Sequence, residues 1–245
     1  MLEWQVATAV AFRDETANVR TIAFAVPGWT GHLAGQHVDI RLTAEDGYQA
    51  QRSYSIASPA GPADRIELTV ERLPDGEVSS FLTEALAVGD SIELRGPIGG
   101  YFIWEPVNTE PLMLIAGGSG VVPCMSMLRT RDEMGSQVPA RLLFSSRTAA
   151  DIIYRQALER LAAKGDGFSL IHTLTRERPS RWLGESRRVD REMLATRAFP
   201  SFQAPRIFVC GPTSFVESVA EQLVSLGHDP AAIKTERFGP TGARP

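Results

Sequence analysis

The sequence of 245 residues predicts a six-stranded antiparallel β-barrel followed by a doubly wound α/β domain with a parallel sheet. In the first hundred residues, short alternating or β-branched runs are separated by Gly and Pro, as in small barrels. After Glu105, continuous apolar runs alternate with helical segments, which indicates parallel strands buried on both faces. The predicted domains are therefore residues 1–104 and 105–245.

The barrel domain contains one helical segment, at residues 79–87, between its last two strands. Gly and Pro mark the turns, for example at Pro27-Gly28 and Asp75-Gly76. The predicted strands are 6–12, 19–26, 37–42, 51–56, 66–72 and 91–95.

The second domain repeats a pattern of apolar strand and helix. An arginine-rich stretch between residues 174 and 207 interrupts the pattern, and we expect it to be irregular. Ser214 and Glu217 have the spacing of a capping box at the start of the last helix. The predicted strands are 112–116, 142–145, 168–174, 207–210 and 233–238, and the predicted helices are 124–134, 151–163 and 215–226.

Composition excludes several classes of protein. The net charge of -4 argues against nucleic acid as a partner, because such proteins usually present a basic face. Cys124 and Cys210 are too few for a disulfide framework or for a [2Fe–2S] cluster, and the four histidines lack metal-ligand spacing. Residues 1–30 do not resemble a signal peptide, and no apolar run is long enough to span a membrane. We therefore expect a cytoplasmic protein with no bound metal.

A glycine-rich loop follows the first apolar strand of the second domain. Gly117, Gly118, Ser119 and Gly120 precede a helix that has Pro123 in its first turn. Glycines allow close backbone approach, and a helix N-terminus offers free N–H groups, so the loop suits the pyrophosphate of a dinucleotide. The alternative is a glycine turn that only packs strand on helix.

The ends of the next two strands indicate which dinucleotide is bound. NAD-binding folds usually have an acidic residue at the first of these ends, but here the residues are Ser146 and Arg147. The following strand ends in Thr175-Arg176. Hydroxyl and guanidinium groups suit a 2′-phosphate, which favours NADPH over NADH. The alternative is that both arginines are solvated surface charges.

Arg52-Ser53-Tyr54-Ser55 ends a barrel strand. Alternate residues of a strand share a face, so Arg52 and Tyr54 point one way and the two serines the other. A guanidinium can neutralise a flavin phosphate, a tyrosine can stack on the flavin ring, and hydroxyls can bond its reactive edge. On composition alone, an ordinary polar barrel strand is the simpler interpretation.

Five short motifs follow one another along the chain. They are Arg52-Ser53-Tyr54-Ser55, Gly76-Glu77-Val78-Ser79-Ser80, Gly96-Pro97-Ile98-Gly99, the loop Gly117–Gly120, and Cys210-Gly211-Pro212. In this order they resemble the ferredoxin–NADP reductase superfamily over essentially the whole chain, as a stand-alone reductase without an iron–sulfur domain. The resemblance implies a flavin-binding barrel, a nucleotide-binding α/β domain, and FAD rather than FMN.

The resemblance also implies roles for individual residues. Ser55, Cys210 and Glu236 would set the geometry of hydride transfer, and Phe238 would stack on the flavin. Cys210 and Phe238 could instead be buried core residues, and the tail 239–245 departs from relatives that end in the aromatic residue. Flavin contacts would come from Arg52, Ser53, Tyr54, Ser55, Val70, Glu71, Arg72, Gly76, Val78, Ser79 and Ser80; nucleotide contacts would come from Gly117, Gly118, Ser119, Gly120, Ser146, Arg147, Arg176, Cys210 and Gly211.

The resulting hypothesis is a flavoprotein reductase. It would transfer hydride from NADPH to bound FAD and pass electrons to a ferredoxin, a flavodoxin or an oxygenase component. Two alternatives remain open. One is an NADH-dependent flavin reductase that releases reduced flavin, and the other is a non-catalytic electron-transfer subunit of a larger complex.

Overall fold

A computed structural model describes residues 2–177 and 179–238 of the chain. Its contacts divide these residues into two compact units. The first unit contains the chain up to Glu105 together with the segment Met125–Thr130, and the second contains the remaining described residues.

The first unit is built on a sheet of six strands in which every pairing is antiparallel. The strand order is β4-β3-β6-β1-β2-β5. Its two edges meet where Ile56 bridges to Leu68 and the Ala57 amide donates to the Glu67 carbonyl at 2.7 Å. The predicted barrel is therefore confirmed. The strands are β1 Gln5–Thr16, β2 Val19–Ala25, β3 His37–Thr43, β4 Gln49–Ser55, β5 Arg65–Glu71 and β6 Ser91–Ile98.

A short helix fills one opening of the barrel. Helix α1, Glu77–Ser80, continues as a single π-helical turn over Phe81–Ala85. Val78 and Leu82 point from it into the barrel core, which explains why these positions are apolar. The helix begins two residues before the predicted start because Gly76 forms its N-cap.

The second unit is a five-stranded parallel sheet with helices connecting its strands. Its order is β11-β10-β7-β8-β9, as a doubly wound fold requires, so the predicted class is confirmed. Among the described residues, no helix is both long and apolar enough to cross a membrane. The strands are β7 Leu112–Gly117, β8 Ala140–Ser146, β9 Phe168–Leu174, β10 Arg206–Pro212 and β11 Ile233–Phe238, and the helices are α2 Val121–Glu133, α3 Arg155–Ala162, α4 Arg191–Arg197 and α5 Thr213–Ser225.

Two details of the second unit differ from the sequence-based predictions. The arginine-rich stretch is not wholly irregular, because α4 forms within it and Asp190 caps that helix by accepting from the Met193 amide at 2.8 Å. The capping box proposed for Ser214 and Glu217 is wrong. Helix α5 already starts at Thr213, so Ser214 lies inside it, and the N-cap is Pro212.

Candidate functional site

The strand β4 presents the Arg-Ser-Tyr-Ser motif with the predicted alternation. In the register with β3, Arg52 lies opposite Ile40 and Tyr54 lies opposite Val38. Both partners belong to the barrel core, and the half-buried Tyr54 packs against that core. Arg52 and Tyr54 therefore share one face of the strand, while Ser53 and Ser55 belong to the opposite face.

The guanidinium of Arg52 is exposed and is positioned to meet an anion. It donates to the carbonyl of Gln51 at 2.6 Å and has no carboxylate partner among the described residues. Burial raises the pKa of Tyr54 to about 12, while the charge of Arg52 acts in the opposite, lowering direction. A cation next to a neutral, partly buried phenol fits a ligand that combines phosphate with an aromatic ring.

Ser53 has a different environment from its neighbours in the motif. Its hydroxyl donates to Asp39 Oδ1 at 2.6 Å, and the other carboxylate oxygen of Asp39 accepts from Arg95 at 2.6 Å. The side chain of Ser53 is therefore engaged within the barrel sheet. The sequence analysis did not identify Asp39 or Arg95 as functional residues.

The turn before α1 is shaped by Ser79. Its hydroxyl donates to the Gly76 carbonyl at 3.0 Å and accepts from the Leu73 amide at 3.1 Å. A Cβ on Gly76 would lie 2.3 Å from this hydroxyl, so a side chain there would displace the hydroxyl that bonds the turn. The backbone amides that open the helix lack partners within it, as at every helix N-terminus. Val78 is buried in the core and Ser80 is half-buried at the end of α1.

The residues predicted along the flavin's side chain occupy different environments. Val70 is buried in the barrel core and Glu71 is half-buried at the end of β5. Arg72 forms an ion pair with Glu84 and donates to the Asn18 side chain at 2.9 Å. Its guanidinium is therefore already neutralised, unlike that of Arg52.

In the second unit, the carboxyl ends of β7 and β10 approach at backbone distance. A Cβ on Gly120 would lie 2.1 Å from the carbonyl oxygen of Cys210, so only glycine fits. A Cβ on Gly211 would lie 3.3 Å from the Gly117 Cα and 2.8 Å from the Phe215 ring, so this position is also tightly packed. Gly118 has a left-handed backbone with φ of +57°, and the loop leads directly into α2. The predicted loop residues and Cys210-Gly211 thus meet at one edge of the sheet.

Cys210 and Glu236 lie side by side at this edge. They are paired in the register of β10 and β11, and Cys210 Sγ lies 4.0 Å from Glu236 Oε2. Burial raises the pKa of the Cys210 thiol well above its usual range, so the thiol is neutral. Burial also raises the pKa of Glu236 to about 7. Phe238 follows on β11, half-buried and opposite Pro212, and the tail 239–245 lies outside the described residues.

The predicted 2′-phosphate residues lie at neighbouring strand ends. The Arg176 amide donates to the Arg147 carbonyl at 2.9 Å, so the chain continues to pair beyond β8 and β9. Both side chains are exposed, and within the described ranges neither forms an ion pair. The Ser146 hydroxyl is buried and has no hydrogen-bond partner in the described part of the chain. Strand ends that carry two exposed cations and a buried hydroxyl without a partner in the described ranges are chemically suited to a ligand with phosphate or ribose oxygens.

Comparisons with known proteins identify two domains in this chain. Residues 9–103 match the oxidoreductase FAD-binding domain family and residues 114–221 match the oxidoreductase NAD-binding domain family. NADH-cytochrome b5 reductase 1 of Emericella nidulans is 31% identical over 89% of this chain and 73% of its own length. A glycine betaine monooxygenase reductase subunit of Chromohalobacter salexigens is 34% identical over 94% of this chain, which spans only 63% of that protein. The solved structure of the Amycolatopsis cytochrome P450 reductase GcoB aligns with 98% of this chain and 71% of that one, with a TM-score of 0.85 and 26% identity.

The contact between Gly120 and Cys210 leads to a prediction about stability. Replacing Gly120 with Ala should lower the free energy of unfolding by about 2 kcal/mol or more, because the new methyl group would collide with backbone. The matched control is Gly100→Ala, since a Cβ at Gly100 meets nothing within 4 Å. Urea denaturation of both variants tests the prediction, which is wrong if they lose the same stability.

The raised pKa of Glu236 leads to a prediction about pH. Below its ordinary value of 4.5, both the folded and the unfolded chain hold the proton. Between 4.5 and about 7, the unfolded chain releases the proton while the folded chain retains it, so stability should fall as pH rises. Above pH 7 the carboxyl is ionised in both states, and stability falls no further from this group. Glu236→Gln should abolish this component, as measured by urea denaturation at pH 5 and pH 8, and an unchanged pH dependence in the variant would contradict the assignment.

Proposed function

Because this chain belongs to the ferredoxin–NADP reductase family of FAD- and NAD-binding oxidoreductases, we propose that it transfers a hydride from NADPH to bound FAD. The electrons then pass to a separate acceptor. The observation that carries this proposal is that one chain holds a candidate flavin site and a candidate nucleotide site. The barrel offers Arg52 without a carboxylate partner among the described residues, beside Tyr54, and the parallel sheet offers a glycine-lined carboxyl edge.

FAD would be held by the barrel. Arg52 would neutralise its phosphates, Tyr54 would pack on the ring, and the turn from Gly76 to Ser80 would offer backbone amides. The match to an FAD-binding domain family supports FAD over FMN. Bound FAD can accept a hydride as two electrons and release them singly.

The chain's own residues would orient the reactants and control a proton. Cys210 is fully buried and neutral, so it would pack behind the nicotinamide site as a compact, polarisable group and place no charge there. Glu236, with its pKa raised to about 7, can hold or release a proton near neutral pH beside that thiol. Ser55 ends β4 on the face opposite Tyr54 and would offer a hydroxyl at the strand end.

Arg147 and Arg176 support NADPH as the donor. Two exposed guanidinium groups on adjacent strand ends, next to the buried Ser146 hydroxyl, suit a 2′-phosphate. NADH is the second candidate, because the Emericella relative is named an NADH-cytochrome b5 reductase. The two donors share every contact except those to the 2′ position, so the distinction depends on these residues.

The names of the similar proteins suggest a class of acceptor. One is the reductase subunit of a monooxygenase and another is a cytochrome P450 reductase. We therefore favour an oxygenase component as the acceptor over a ferredoxin or a flavodoxin. The test is reduction of each class of acceptor by the purified, FAD-loaded protein with NADPH as donor. Turnover of small artificial acceptors without reduction of any of these proteins would contradict the assignment.

Replacing Arg147 with Ala should separate the two donors. We expect the KM for NADPH to rise about tenfold, because a charge-assisted bond to the 2′-phosphate is lost, while the KM for NADH stays the same. The control is Arg160→Ala. Arg160 is an exposed arginine like Arg147, but it lies on helix α3 and not at a strand end of the proposed nucleotide site. Steady-state kinetics with both donors measure the effect. Equal changes for NADPH and NADH would show that Arg147 does not bind the 2′-phosphate.

Replacing Arg52 with Ala should weaken flavin binding. We expect the Kd for FAD to rise at least about tenfold, because the phosphates lose a cationic partner. The effect should shrink at high salt, where screening weakens the contribution of Arg52. Arg65→Ala, at an exposed arginine of β5, serves as the control. Quenching of FAD fluorescence during titration of the flavin-free protein provides the measurement, and an unchanged Kd would rule out Arg52 as the phosphate partner.

A further inference from the structure

Three polar side chains form a row across neighbouring barrel strands. Ser53 on β4 lies opposite Asp39 on β3, and Asp39 lies opposite Arg95 on β6. The Ser53 hydroxyl donates to Oδ1 of Asp39 at 2.6 Å, and Nη2 of Arg95 donates to Oδ2 at 2.6 Å. The row lies on the strand face opposite to Arg52 and Tyr54, directly behind the proposed flavin site.

The carboxylate at the centre of the row is charged. Asp39 is only 7% exposed, and burial alone would raise the pKa of its carboxyl. The hydrogen bonds from Ser53 and Arg95, together with the charges of Arg95 and His37, outweigh burial and lower the pKa of Asp39 below its usual value. Both bonds are therefore charge-assisted and stronger than neutral ones.

A second cluster holds Arg95 from its other side. The guanidinium of Arg95 lies 4.8 Å from the ring centre of Trp4, and that of Arg41 lies 4.1 Å from the same ring. Arg41 in turn binds Glu93 with two hydrogen bonds, at 2.9 and 2.6 Å. Two cations on one indole and a bidentate ion pair restrict the side-chain rotamers of this cluster. Asp39 thus connects Ser53 to a rigid part of the sheet.

Strand β4 has a ladder partner on one side along its own length, because the contacts that close the barrel onto β5 come after its last residue, at Ile56 and Ala57. Along β4, the ladder of paired residues joins it to β3 alone. Ser53 stands between Arg52 and Tyr54, so fixing its side chain fixes the orientation of the peptide units that carry both neighbours. Small rotations of β4 would move a stacking ring or a phosphate partner out of place.

We propose that Asp39 and Arg95 are positioning residues for the flavin, acting through Ser53. Ser53 is then an anchor of the motif and makes no direct flavin contact. The inference rests on the proposed function, because it requires that Arg52 and Tyr54 bind FAD.

The test compares Ser53→Ala with Thr8→Ala. Thr8 forms a cross-strand hydroxyl bond to Ser91 at 3.0 Å in the same sheet, so both variants lose one side-chain hydrogen bond. We expect Ser53→Ala to raise the Kd for FAD about tenfold and to make the visible circular dichroism of the bound flavin approach that of free FAD. The KM for NADPH should not change. Thr8→Ala should leave the Kd and the flavin spectrum unaltered, and Ser53→Thr should restore both because it keeps the hydroxyl.

Asp39→Asn provides a second, independent variant. The amide oxygen can still accept from one partner, but the carboxylate charge shared by Ser53 and Arg95 is lost. We expect Asp39→Asn to raise the Kd for FAD and to shift the visible circular dichroism of the bound flavin towards that of free FAD. Arg95→Lys should change both quantities in the same direction but by less.

Three outcomes would overturn the inference. A Ser53→Ala protein with lower thermal stability but unchanged flavin affinity and spectrum would show that the row is only structural. A loss as large in Thr8→Ala would show that any hydrogen bond of the sheet has this effect. If the unaltered protein binds no FAD at all, the proposed function fails together with the inference, which distinguishes that failure from the first two.

Discussion

The close approach between Gly120 and the Cys210 carbonyl determines the candidate nucleotide edge of the second unit. A side chain at Gly120 would lie 2.1 Å from that oxygen, so the loop can enter α2 only with glycine there. The register of β10 with β11 places Glu236 next to Cys210 at the same edge. Residues more than a hundred positions apart in the chain thereby form one edge, where backbone amides, a neutral thiol and a protonatable carboxyl lie together.

In the barrel, the candidate flavin site is distinguished by charge, whereas the nucleotide edge is determined by a close backbone contact. The arginines of the barrel are largely neutralised by carboxylates, as Arg41 is by Glu93 and Arg72 is by Glu84. Arg52 and Arg65 are exceptions across residues 2–177 and 179–238, and of the two only Arg52 shares a strand face with a half-buried tyrosine. The neighbouring Tyr54 is held on the same strand face by the core. The cation and the phenol therefore form the part of the barrel surface that best matches a phosphorylated aromatic cofactor.

The sequence predicted the elements but not the partners of individual side chains. Alternation in β4 and the apolar run of β7 are local patterns, so strands and faces could be assigned from neighbouring residues. Ser53 was assigned to the flavin because it lies within the motif. Its hydrogen-bond partner in the sheet, Asp39, is distant in sequence and is selected by the register of the β3–β4 hairpin, which no local pattern shows. Helix α4 was missed because arginines dominate its surroundings, and the apolar Met193 and Leu194 that pack it on the core give only a weak periodic signal.

Hydride transfer from NADPH to bound FAD can be followed by anaerobic titration of the flavin-loaded protein with NADPH. The purified protein should bind about one flavin per chain, and its visible flavin absorbance should disappear within about one equivalent of NADPH. A protein that binds no flavin, or whose bound flavin keeps its colour with excess NADPH and NADH, would contradict this assignment.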